Sequence, residues 1–212
     1  MKQLRKIMSI LLMSSAMIGT ANAAILFEDN FDSYNGGSEA LNFTDFGGTW
    51  SVMAGTVDLI GNGGTYDFLP GNGLYIDLDG STTSAGIMGH LESLAAGDYT
   101  LSFDLAGNQR NGSAELTTAN VAILLGGGTA ANTSISLGQN DGFTTYSLDF
   151  SISDLYDPSM VLISFGAAGG DNIGMLLDNV VLMDRVSVPE PGVLSLLALG
   201  LLGVGLSRRK TA

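Results

Sequence analysis

The chain has 212 residues, no cysteine, one histidine and a formal charge of −13 at neutral pH, and the missing cysteine excludes disulfide frameworks, thiolate metal centres and thiol nucleophiles. Six of the eight basic residues lie at the two termini, so only Arg110 and Arg185 face the twenty acids from Glu28 to Asp184, a local balance of −18. Such a segment repels phosphate, which excludes nucleic acid as a partner; it suits solvation outside the cell, a divalent cation or a neutral sugar.

At the N-terminus, Lys2, Arg5 and Lys6 precede an apolar run from Ile7 to Ile18 and then small residues, the three regions of a secretory signal. The run is well short of the roughly twenty residues that span a bilayer. Ala21 and Ala23 satisfy the small-residue rule for cleavage. Residues 1–23 are therefore expected to be removed by signal peptidase, leaving Ala24 as the mature N-terminus.

Residues 24–186 are expected to form one domain, large enough to be stable without a disulfide or a metal. The pattern is two-residue alternation. Leu101, Phe103 and Leu105 alternate with polar residues, as do Tyr146, Leu148, Phe150 and Ile152. Further strands are expected over 56–60, 73–78, 86–91, 121–125, 160–166 and 175–183. Turns rich in glycine and asparagine separate them, at 61–64, 71–73, 107–108, 111–112 and 141–142. Eight to ten such strands predict an all-β fold, a β-sandwich of jelly-roll type. Phe27–Asp32, Gly73–Gly80, Ala96–Asn108 and Leu177–Leu182, in that order, resemble the strands of galactose-binding-type jelly rolls and related carbohydrate-binding modules.

The C-terminal residues 187–212 contain Pro189-Glu190-Pro191, an uncharged apolar run from Val193 to Leu206, and Arg208-Arg209-Lys210. Two prolines around a glutamate cannot join a strand ladder and favour an extended, accessible peptide. Fourteen helical residues span only about 21 Å, so a single short transmembrane helix is expected, with its basic end cytoplasmic and the domain on the far side. These residues resemble the sorting tail of the PEP-CTERM proteins. The resemblance implies that Pro189, Glu190 and Pro191 are recognised by an exosortase, a membrane-embedded transpeptidase-like enzyme of Gram-negative bacteria. An inner-membrane precursor would then pass to the cell surface or extracellular matrix.

Catalytic candidates are few. His90 is the single histidine, on an apolar strand where a surface or turn position is commonplace, and no acidic pair stands out as a glycosidase dyad. The jelly-roll resemblance implies a possible structural calcium between first and last strands, with Asp29, Asp32 and Asp178 as ligands; the other reading is a charged strand edge and a turn cap at Asp178-Asn179. Asp77-Leu78-Asp79-Gly80 lacks the later ligands of an EF-hand loop. Sugar binding needs an exposed ring with polar groups around it. Among Trp50, Tyr66, Tyr75 and Tyr146, Trp50 suits a core and Tyr66 beside Asp67 suits a binding loop, with Asn108 and Arg110 as further ligand candidates or parts of an ordinary hairpin loop. The sequence thus points to an exported, non-enzymatic surface or matrix protein that contacts polysaccharide; a secreted glycoside hydrolase held at the envelope and a purely structural matrix protein are its rivals.

Overall fold

The computed structural model describes residues 23–82, 84–110, 116–126, 128–153 and 159–185. The expectations for the cleavage motif before Ala23 and for the whole C-terminal tail lie outside these residues. Ala24–Arg185 forms a compact unit, and among its described residues eleven strands build two antiparallel sheets with no helix beyond one 3-10 turn at Tyr34–Gly37. The architecture is a jelly-roll-like sandwich.

In chain order the strands are β1 (Ile25–Asp29), β2 (Ser51–Ala54), β3 (Asp58–Gly61), β4 (Leu74–Asp77), β5 (Ile87–Leu94), β6 (Gly97–Ala106), β7 (Thr117–Leu125), β8 (Gly128–Leu137), β9 (Thr144–Ile152), β10 (Ser159–Ala168) and β11 (Leu176–Asp184). Sheet I has the order β3-β4-β11-β6-β9, with β1 also on β11; sheet II has the order β2-β5-β10-β7-β8. Along one side of β11, β4 pairs with Leu176 and Leu177, and β1 pairs with Val180 to Met183. A bulge at Asn179, whose φ is 48°, falls where one partner gives way to the other. Asparagine tolerates that left-handed backbone and a bulge supplies the extra twist.

The alternation read from sequence is what sets the layers. Tyr99, Leu101, Phe103 and Leu105 of β6 point into the core, while Asp98, Thr100, Ser102 and Asp104 face outward. They meet Ser151, Asp149, Ser147 and Thr145 of β9 across the strands. From sheet II, Met88, Val121, Ile123, Val161, Ile163 and Phe165 complete the core. Phe27 of sheet I stacks on His90 of sheet II with ring centroids 3.8 Å apart, and Trp50 closes the group at 5.4 Å from the imidazole. The single histidine is therefore no surface or turn residue: it is 8% exposed, bonded through Nδ1 to the Thr49 carbonyl (2.7 Å) and through Nε2 to Glu92 (3.1 Å).

Charge divides the two sheets. The strands of sheet I carry nine acidic residues and those of sheet II one, Glu92. Two strands, β2 and β8, were not expected from the sequence. Both are edges of sheet II, and each carries only two large apolar side chains, too few to stand out.

Candidate functional site

The outer face of sheet I gathers the predicted site residues into two neighbouring groups. The first lies at the β1–β4 changeover on β11, beside a cleft of about 470 Å³ lined by Glu28, Asp29, Asn30, Ser33, Asn179, Val180 and Val181. Asp29 works as a hub. One of its oxygens accepts from the Phe31 N–H (2.8 Å), and the other from the Tyr34 hydroxyl (2.6 Å) and the Trp50 indole N–H (2.9 Å). Burial first, then the bond to Asp29, hold the Tyr34 phenol well above its ordinary value. Asp32 accepts from the Leu74 N–H (2.7 Å) and from Asn30 (2.7 Å), so it fastens the start of β4 to the end of β1.

Asp178 is 2% exposed inside β11 and accepts from the Asn179 N–H (2.7 Å), so it is neither a turn cap nor a solvent-facing acid. Burial and the charges of Asp32, Asp104 and Asp29 push its carboxyl up to about 7, against the lowering effect of the Asn179 N–H. The structure thus brings Asp29, Asp32 and Asp178 to one place. The oxygens of Asp29 and Asp32 are nevertheless taken by protein donors, and among the described residues no three acidic or histidine side chains are arranged to hold a metal ion. As placed, these residues do not fit a calcium ion; hydrogen bonds tie the strands instead.

The second group sits over a small apolar cluster outside the main core, made by Ile60, Tyr75, Ala106 and Leu176 with Phe68, Leu69 and Phe143 against it. Arg110, which follows β6, reaches down to Asp77 at the end of β4. Its guanidinium donates to Asp77 Oδ2 (2.9 Å) and lies 5.3 Å from the centre of the Phe68 ring. Asp77 is 1% exposed and stands directly opposite Asp58 across the β3–β4 pair. Burial pushes the Asp77 carboxyl up to about 7, and the Asp79 N–H and Arg110 hold it from rising further while Asp58 adds to the rise. Gly174 is required here, because a Cβ on it would run into Asp77 Oδ1.

Asp79 is fully buried. One oxygen accepts from the N–H groups of Gly170 (2.7 Å), Asp171 (3.2 Å) and Asn172 (3.2 Å), and so pins the loop before β11. Asp77 and Asp79 are thus internal acceptors of main-chain donors.

Of the four predicted sugar-contact residues, two face inward. Asp67 accepts from the Gly63 N–H (2.8 Å) and from the Tyr75 hydroxyl (3.3 Å), and Asn108, 1% exposed, accepts from the Arg110 N–H (2.8 Å). Burial raises the Tyr75 phenol to about 12. Tyr66 is the exposed aromatic of the group, at 38%, with its ring 6.3 Å from that of Phe68. Trp50 and Tyr75 are buried, and Tyr146 packs on Phe103. Phe68 escaped the sequence reading, because nothing in a glycine-rich stretch shows that its ring will meet an arginine more than forty residues away.

These arrangements define what the site can do. The two carboxyls that titrate near neutrality, Asp77 and Asp178, are buried and bonded to main-chain donors, a placement that keeps them from a substrate. Tyr66, Phe68 and Arg110 form one apolar-and-cationic rim beside an acidic, hydroxyl-rich sheet face, which suits contact with a neutral polyhydroxylated ligand.

Comparison with solved structures finds similarity at low identity, and the fold is matched with a TM-score above 0.5 in the first of the following. A cyclase from Fischerella sp. TAU is 14% identical with a TM-score of 0.55, over 77% of this chain and 98% of that one. The CBM22-1–GH10 modules of Clostridium thermocellum xylanase 10B, complexed with xylohexaose, give 11% and 0.49; this chain is covered over 77% and spans 29% of that one. The CBM22-1 xylan-binding domain of Paenibacillus barcinonensis Xyn10C gives 15% and 0.45, covering 78% and 97% of the two chains. At such identities the likeness is one of fold. No curated protein matches the chain significantly. Beyond the sandwich, residues 187–210 match the PEP-CTERM protein-sorting motif, so the chain carries at its C-terminus the signal of an envelope-sorted exported protein.

Proposed function

We propose that this is an exosortase-processed protein of the cell surface or extracellular matrix whose jelly-roll domain contacts neutral polysaccharide without catalysis. The sorting half of the reading is supported by the motif at 187–210. The binding half is carried by Tyr66, an exposed ring beside Phe68 and Arg110 on an acidic sheet face. Acidic and hydroxyl side chains accept and donate to sugar hydroxyls, whereas they repel polyanions. The processing partners are signal peptidase and exosortase, and the membrane contact is the C-terminal apolar run before processing.

The test is a glycan array with the full chain and its Tyr66→Ala variant. Wild-type protein is expected to retain neutral glycans with weak affinity, and the variant to lose most of that signal, since stacking on one ring contributes about 1 kcal/mol or more. Addition of millimolar calcium is expected to change neither retention nor melting temperature. Release of reducing ends from any glycan on the array would replace the binding reading by that of an envelope-held hydrolase. Equal retention by Tyr66→Ala would remove the rim from the site.

A further inference from the structure

Sheet edges are where a β-sandwich is open to other chains, because an edge strand presents unpaired main-chain donors and acceptors. Three of the principal edges are guarded. β2 and β3 have four residues each, and β3 is further covered by two hydrogen bonds between Leu59 and Ala40. β9 carries Asp149 on its outer face, where it holds Arg185 at 3.1 Å.

β8 has no such protection. It is ten residues long, Gly-Thr-Ala-Ala-Asn-Thr-Ser-Ile-Ser-Leu, with neither a charge nor a proline, and among the described residues it pairs only with β7. In a strand of this length about half of the N–H and C=O groups point away from the paired neighbour.

The surroundings say what approaches it. The outward positions of sheet II bear no charged side chain among the described residues, and they expose Met53, Ile87, Leu91 and Met160. They also bear no aromatic ring, so a sugar finds nothing to stack on there. A second copy of this strongly acidic domain would be repelled at sheet I and at most loops, but it can meet β8 without opposing carboxylates.

We propose that β8 is a self-association edge: two copies of this chain join β8 to β8, antiparallel about a two-fold axis, and extend sheet II into one continuous sheet of twice five strands. A two-fold contact presents the same strand from both copies and closes on itself. It uses the sheet opposite the Tyr66 rim, so its failure and that of polysaccharide contact are separate results.

The chain contains no cysteine, so an introduced one is the only thiol. Single cysteines placed in turn from Thr129 to Ser136 in the full chain, followed by mild oxidation, test the pairing. Near a two-fold axis the same residue of the two copies lies about 4.5–5.5 Å apart, within reach of a disulfide. Covalent dimer is expected at one or two adjacent β8 positions, and less than a tenth as much from Ser147→Cys on β9. Adding Asn132→Lys with Ser134→Lys to the best position should lower the dimer yield at least tenfold, with the far-ultraviolet circular dichroism unchanged. Absence of dimer along all of β8, or equal yield from Ser147→Cys, overturns the proposal whatever the lysine variant does. So does a chain that stays monomeric while a neutral oligosaccharide protects the β8 amides from hydrogen exchange.

Discussion

Arg110 illustrates how much of the site's chemistry rests on single side chains. Its partner Asp77 is sealed from water, whereas the arginine side chain retains 25% of its surface. Removing one member of a buried ion pair strands the other, at a cost of roughly 3–5 kcal/mol when both are fully buried. Partial exposure reduces that figure, and Asp77 can take up a proton instead. Arg110→Ala is therefore expected to destabilise the domain by about 2 kcal/mol near pH 8, where Asp77 is ionised, and by clearly less near pH 5, where it is already protonated. Denaturant melts at the two pH values check this. A loss independent of pH would mean that Arg110 acts mainly through packing on Phe68. At this scale the sequence named Tyr66, Asp67, Asn108 and Arg110 together, and the fold turns Asp67 and Asn108 towards donors of their own loops. Both are short polar side chains in loops, and whether such a group faces solvent or closes a turn depends on main-chain donors that only the folded loop supplies.

At the scale of elements, the strands with large alternating side chains were legible, and the two edge strands of sheet II, β2 and β8, were not. β6 and β9 announce themselves through Leu101, Phe103, Leu148 and Phe150, because those residues must all reach one face. β8 has only Ile135 and Leu137 as large apolar residues, and its function as an edge depends on having few. The bulge in β11 is a second example. Asp178-Asn179 has turn-like composition, yet it lies mid-strand at the point where β1 hands over to β4. Since Asn179 has φ 48°, Asn179→Gly should change stability by no more than about 0.5 kcal/mol, whereas the β-branched Asn179→Val should cost about 1–2 kcal/mol. Thermal melts of the two variants decide it; a neutral valine would show that β11 can pair without the bulge.

For the whole molecule, the acids of sheet I make stability depend on pH in a definite direction. Asp77 and Asp178 titrate near 7 when folded, above the ordinary value of 3.8, so between those values the folded chain binds more protons than the unfolded one. Their stabilising contribution is complete below about pH 4 and is lost as pH rises through about 7. The melting temperature is expected to be at least about 4 °C lower near pH 8 than near pH 5, which for a domain of this size corresponds to roughly 1–2 kcal/mol. A flat or rising profile would show that both carboxyls ionise normally. The sorting motif lies in residues 187–210. Replacing Pro189, Glu190 and Pro191 by alanine should leave export intact and cause full-length precursor to accumulate in the inner membrane, as read by fractionation and intact mass. Normal loss of the tail in that variant would reduce it to an anchor.

The all-β class, the acidic character, the lack of cysteine chemistry and the sorting motif could be read without any coordinates. Each of these depends on composition, on a two-residue period or on a contiguous motif, and none requires knowing which strands are neighbours. Folding placed His90 in the core between Phe27 and Trp50, and turned the oxygens of Asp29 and Asp32 to strand junctions. It also decided that nine of the ten acidic residues carried by strands gather on sheet I. Most of these depend on contacts between residues twenty or more positions apart, and a pattern local to the chain holds no record of them.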